Sequence, residues 1–193
     1  MRAALGIVVS LLALLSSQAA NAADLREIEV ERADGIYMLQ SVVWFDADIE
    51  TVYRVVLDWD LSEQFSSVVV EARNTGSDAT GDRGFYTRNE ACVLFYCMSV
   101  ERVGRVEHEP VAIIKAITDP EKSDFHISNE TWEFEQEGDG TLIRYQLEMR
   151  PKFWIPPLIG PYVLKKKLRE DGAAALNRIE AIATDKERTP DAE

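Results

Sequence analysis

FHISNETWEFEQEGDGTLIRYQLEMRPKFWIPPLIGPYVLKKKL, residues 125–168, sets the frame for the whole chain. Two runs rich in aromatic and branched residues, 125–136 and 141–149, flank Glu137-Gly138-Asp139-Gly140, and turn residues between such runs predict an antiparallel hairpin. An apolar, proline-stiffened loop, Pro151 to Pro161, then feeds a helix. From about Tyr162 to Thr184, Leu164, Leu168, Gly172, Ala175, Ile179 and Ile182 recur on one face. Gly172 in that stripe costs about 1 kcal/mol relative to Ala, which a close approach to another element explains.

Working back from the hairpin, four more strands are predicted at about 68–74, 83–92, 97–107 and 111–118, and connections this short permit only antiparallel neighbours. Upstream, the strand-like residues 28–45 have one break at Ala33-Asp34-Gly35 that reads as a turn between two strand segments. Two short helices follow them. Asp48 caps the first, with Val52, Val55 and Val56 at helical spacing, and Asp60 with Glu63 resembles a capping box opening the second.

The amino end has the form of a secretory signal: Arg2, an apolar run Ala3–Leu15, and Ala20-Asn21-Ala22, with cleavage expected after Ala22 and a periplasmic destination. No Cys stands at that junction to take a lipid, and no later segment is apolar enough to cross a bilayer. Without residues 1–22 the charge is 20 minus 34, or −14, over 171 residues. An acidic chain without a basic stripe has no general attraction to nucleic acid. The expected division is a signal peptide 1–22, one domain 23–185 and a disordered tail 186–193.

Cys92 and Cys97 flank Val93-Leu94-Phe95-Tyr96, so a hairpin brings them opposite each other, and in an exported chain a disulfide is expected. His108 and His126 lack the clustered spacing of a zinc site, and neither metal nor cofactor is expected.

Beyond element order, Asp46-Ala47-Asp48 leading into a helix that ends at Val56-Leu57-Asp58, the Trp132-Glu133-Phe134 strand, Gly140-Thr141 and the proline-rich junction into the last helix are similar to one family. The chain resembles, over about residues 36–183, the START-like (SRPBCC) polyketide cyclase/dehydrase and lipid transport proteins, which include coenzyme Q-binding START proteins. The resemblance implies an α+β helix-grip fold. Its curved seven-stranded antiparallel sheet wraps a long C-terminal helix, with two short helices after the first strand and an apolar cavity between sheet and long helix.

Strand alternation then selects the cavity face. Ile143, Tyr145, Leu147 and Met149 share one side of the last strand, Trp132 and Phe134 carry Ser128 and Glu130 with them, and Met98, Val100, Arg102, Gly104 and Val106 form a third set. Two opposite charges, Arg102 and Glu130, thus face inward. They either pair, the usual fate of buried charge, or form the polar end of a ligand site.

Counting strands in pairs places 93–96, 119–124 and 153–159 at one end, the mouth. Leu94, Phe95, Tyr96, Phe153, Trp154, Ile155, Leu158 and Ile159 there make an apolar rim beside Lys152, Lys165, Lys166, Lys167 and Arg169. The rim serves as a lid over the cavity or as a foot on an anionic membrane. Three functions remain open: a carrier of lipid or another apolar molecule, a cyclase or dehydratase using Glu130, Arg102, Tyr145 or His126, and an interaction module using the rim.

Overall fold

The computed structural model describes residues 23–76, 83–93, 96–155, 158 and 160–188. The expected signal segment lies outside them. In chain order come β1 (Asp24–Ala33), β2 (Ile36–Phe45), α1 (Ile49–Leu57), a 3-10 turn (Trp59–Leu61), α2 (Ser62–Phe65), β3 (Val69–Thr75), β4 (Arg83–Val93), β5 (Tyr96–Glu109), β6 (Ile113–Thr118), β7 (Phe125–Glu137), β8 (Gly140–Pro151) and α3 (Gly160–Arg188). The strands form one antiparallel sheet in the order β1-β2-β8-β7-β6-β5-β4-β3.

Among the described residues the sheet has eight strands, one more than the seven expected. Asp34 and Gly35 both adopt positive φ, 52° and 82°, the conformation of a two-residue primed turn. The break in residues 28–45 is therefore a full hairpin, with β1 paired to β2 from Asp24↔Trp44 to Ala33↔Ile36.

Asp48 caps α1 as predicted, its carboxylate accepting from the Glu50 and Thr51 amides at 3.0 and 3.1 Å. The expected Asp60–Glu63 capping box does not form. Asp58 caps the 3-10 turn instead, while Glu63 accepts from the Ala72 amide and Asp60 from the Asn74 amide, each at 2.9 Å. β3 is the last strand of the sheet, and these alternate amides lack a ladder partner on that side. The two carboxylates supply it and cover the edge.

The long helix makes its close backbone approaches to β1 and β2 on one flank of the sheet and to β4 near the other, as well as to α1 and α2. The sheet thus curls until both flanks reach the helix, and the central strands face α3 across the interior side chains. Gly172 sits at the close approach that its place in the stripe required: a Cβ there would lie 3.3 Å from Leu39 Cδ1. α3 runs on through Arg188, three residues into the tail expected to be disordered. Glu187 anchors that extension by accepting from the Asp48 amide, and 189–193 lie outside the described residues.

The interior has two parts. At the end away from the mouth, Val43, Phe45, Val52, Val55, Phe85, Ile114, Ile143 and Ile179 are all at most 1% exposed. At the mouth end, Tyr37, Phe125 and Met149 form a second buried cluster. Among the described residues no helix is long and apolar enough to cross a membrane.

Candidate functional site

The concave face assembles as strand alternation predicted. Trp132, Phe134, Ile143 and Met149 are buried, and Met98, Val100, Glu130, Tyr145 and Leu147 are partly buried on the same side. Arg102, 6% exposed, lies on β5, and Glu130 on β7. The structure brings them together, Arg102 Nη1 standing 2.5 Å from Glu130 Oε1. Arg102 also donates from Nη2 to the Ser128 carbonyl at 2.9 Å and from Nε to Thr118 Oγ1 at 3.3 Å. Its guanidinium carbon stands 5.0 Å from the Phe85 ring centre and 5.8 Å from that of Trp59, which is stacked on Phe85.

Glu130 Oε2 accepts from Trp132 Nε1 at 3.3 Å, and the Trp132 ring lies 4.2 Å from Tyr145. Burial, followed by the negative charge of Glu130, pushes the Tyr145 phenol well above its ordinary range, so at neutral pH it is a hydrogen-bond donor. His126, another candidate for acid or base chemistry, is exposed on the opposite face of β7. Among the described residues no group of His, Cys, Asp and Glu is placed to hold a metal ion.

Alternation applied to β2 and β4 adds residues that the sequence reading did not single out: Tyr37 and Ser41, and Thr87 and Asn89. Tyr37 OH, Ser41 Oγ, Thr87 Oγ1, Asn89 Oδ1 and the indole nitrogen of Trp59 are buried without a hydrogen-bond partner in the protein.

The mouth is shut. Phe153, Ile155, Leu164, Leu168, Val100 and Leu147 pack on Tyr37, Phe125 and Met149, with Phe153 edge-on to Phe125 at 5.7 Å. Ile155, expected on the membrane-facing side, is half-buried and packs against this cluster. The loop 119–124 clasps β5: Ser123 Oγ bonds both the amide and the carbonyl of Val103, and the Asp124 carboxylate accepts from the Glu101 amide at 2.8 Å. Lys152, expected in the basic rim, instead donates its ammonium to the carbonyls of Ser123, at 2.9 Å, and Pro120.

Trp154, Leu158 and Tyr162 turn outward, with exposures of 72%, 94% and 74%. Beside them Lys166 is exposed, while Lys165 and Lys167 are half-buried; Lys166 and Lys167 stand 3.7 and 3.8 Å from Glu170 and Asp171. The disulfide Cys92–Cys97 joins directly opposed residues of β4 and β5. Leu94, Phe95 and Ile159, and the side chain of Tyr96, lie outside the described residues.

A curled antiparallel sheet gripping one long C-terminal helix, with short helices after the first strands, is the START-like helix-grip fold. The chain belongs to the polyketide cyclase/dehydrase and lipid transport family, whose pattern it matches over residues 39–184. Comparison with curated proteins finds no match. Among solved structures it is similar to an aromatase/cyclase from a Streptomyces species, at TM-score 0.63 and 12% identity over 81% of this chain and 98% of that one. It is similar to human STARD10 at TM-score 0.60 and 13% identity, over 85% and 76% of the two chains. A STAR-related lipid transfer protein from Xanthomonas axonopodis gives TM-score 0.58 and 15% identity, over 86% and 98%.

Proposed function

We propose that this protein is an exported carrier, which holds an apolar small molecule between the sheet and α3 and exchanges it at a lipid surface through the mouth. One observation carries the reading: within residues 153–162, Phe153 and Ile155 pack inward as a plug while Trp154, Leu158 and Tyr162 point out. Adjacent apolar residues serve two sides of one boundary. The plug keeps water from the interior, and the outward set offers the amphipathic aromatics that settle at bilayer interfaces.

The surrounding charge is consistent with docking. The chain is strongly acidic, at −13, and an anionic membrane repels it at long range. Lys165, Lys166 and Lys167 on the first turns of α3 offset this locally, each basic residue near such a surface contributing about 1 kcal/mol. Export is supported by the form of residues 1–22 and by the Cys92–Cys97 bond, since disulfides persist in oxidising compartments. The cyclase or dehydratase reading asks for a carboxylate free to take a proton. Both Glu130 oxygens already accept hydrogen bonds, and burial holds the Tyr145 phenol protonated.

Flotation with anionic vesicles tests the docking. The protein should rise with the vesicles, and Trp154→Ser combined with Tyr162→Ser should leave it at the bottom of the gradient. Equal flotation of both, or of neither, contradicts a membrane foot and leaves the rim to a protein partner.

A further inference from the structure

The chemistry of the interior narrows what it accepts. Resting on the carrier reading, we propose that the ligand is uncharged: a largely hydrocarbon molecule bearing hydroxyl or carbonyl oxygens, and neither a fatty-acid anion nor a phosphate-bearing lipid.

Among the described residues, Arg102 and Glu180 are the charged side chains in the buried class. The Arg102 charge is already compensated. Glu130 lies 2.5 Å away, the Ser128 carbonyl and Thr118 hydroxyl take two further donors, and the faces of Phe85 and Trp59 flank the guanidinium. An anion entering beside it would displace Glu130 or add a second negative charge to a neutral pair. Bringing an ion out of water is costly, and among the described residues the buried cation, Arg102, is already matched by Glu130. Glu180, on α3 beside Asp46, is itself an acid.

The unpartnered polar atoms point the same way. On the sheet Tyr37 OH, Ser41 Oγ and Thr87 Oγ1 can donate or accept and Asn89 Oδ1 accepts, while Trp59 Nε1, on the 3-10 turn stacked against Phe85, donates; these five belong to uncharged groups, and the sixth such atom, Glu180 Oε2, belongs to an acid that disfavours an anion. A buried polar atom without a partner is costly, and the oxygens of a neutral ligand are the partners these atoms match. At the start of α3 Lys166 is exposed and Lys165 and Lys167 are half-buried, on the flank where the protein would meet lipid headgroups. Charge is thus used for docking and neutral hydrogen bonding for selection.

The test loads the full-length protein from vesicles doped with equal amounts of monooleoylglycerol, oleate and oleoyl lysophosphatidate. These share one acyl chain and differ in head group, and the bound species are read by native mass spectrometry. Monooleoylglycerol should exceed each anion by roughly tenfold, the ratio that about 1.4 kcal/mol of differential affinity gives. Glu130→Gln, which leaves the Arg102 charge unmatched, should shift retention toward oleate by a similar factor. The joint replacement Arg102→Met with Glu130→Leu removes both charges and should keep the neutral preference. Equal or preferential retention of either anion by the unaltered protein overturns this inference and leaves the carrier reading standing. Retention of none of the three overturns the carrier reading and the inference with it.

Discussion

Arg102 on β5 reaches across β6 to Glu130 on β7, closing an ion pair at 2.5 Å between residues 28 apart in sequence. Both side chains are largely removed from water, 8% and 13% exposed, so either charge left alone is costly. Glu130→Ala or Arg102→Ala should each lower stability by about 3–5 kcal/mol, whereas Arg102→Met with Glu130→Leu should recover most of that loss. Urea unfolding of the three variants checks it. Additive losses in the double variant would mean that the pair is not a unit.

Three glycines separate tight packing from mere contact. A Cβ on Gly104 would meet the Ile117 carbonyl at 2.2 Å and the Phe85 ring at 2.6 Å, and on Gly140 the Phe45 carbonyl at 2.3 Å and the Trp44 ring at 2.4 Å. Gly104→Ala and Gly140→Ala should each cost about 1–3 kcal/mol or more, because backbone oxygens cannot step aside. At Gly172 the obstacle is the end of a Leu39 side chain at 3.3 Å, and the gain in helix propensity is about 1 kcal/mol. Gly172→Ala should therefore leave Tm unchanged or slightly raised.

Glu180 should make stability depend on pH. Its carboxylate, 3% exposed, accepts from the Asp46 amide at 2.9 Å through one oxygen, and the other oxygen has no hydrogen-bond partner. Burial above all, with the nearby Asp46 charge, raises its pKa above the ordinary 4.5, although the Asp46 amide opposes this. The folded state then holds the proton more tightly than the unfolded one. The contribution is fully present below 4.5 and lost as pH rises through the folded value. Glu180→Gln keeps an acceptor for the Asp46 amide and removes the titration. The difference in Tm, variant minus unaltered protein, should grow from pH 4.5 toward neutrality, and a constant difference would contradict the assignment.

Cys92 and Cys97 close a short loop at the tip of the β4–β5 hairpin. Replacing both by Ser should lower stability by about 2 kcal/mol, the low end expected when few residues are enclosed. Hydrogen exchange should locate the loss in the hairpin, and an equal rise in exchange across the β7–β8 pair would contradict a local role.

What the sequence revealed follows from periodicity. Ile143, Tyr145, Leu147 and Met149 could be assigned to one face because strand side chains alternate whatever the context. The same rule applied to β2 and β4 finds Ser41, Thr87 and Asn89, but polar residues within a run read as surface until the neighbouring strands are placed. Trp59 arises from a 3-10 turn with no useful period. The loop 153–159 has none either, so nothing local distinguished Ile155, which turns in, from Trp154, which turns out. The Asp60–Glu63 spacing is that of a capping box. It went unused because the edge amides of β3, distant in any local pattern, compete for the same carboxylates.

The central claim, an apolar molecule carried between sheet and α3, is tested most directly by a native mass spectrum of the protein purified from the cells that make it. The account predicts an added mass that disappears on denaturation and extracts into organic solvent. It also predicts loss of that mass when Leu147→Asp places a charge on the concave face of a variant that remains folded. A spectrum showing only the polypeptide mass, in protein whose Arg102–Glu130 interior is intact, would contradict it.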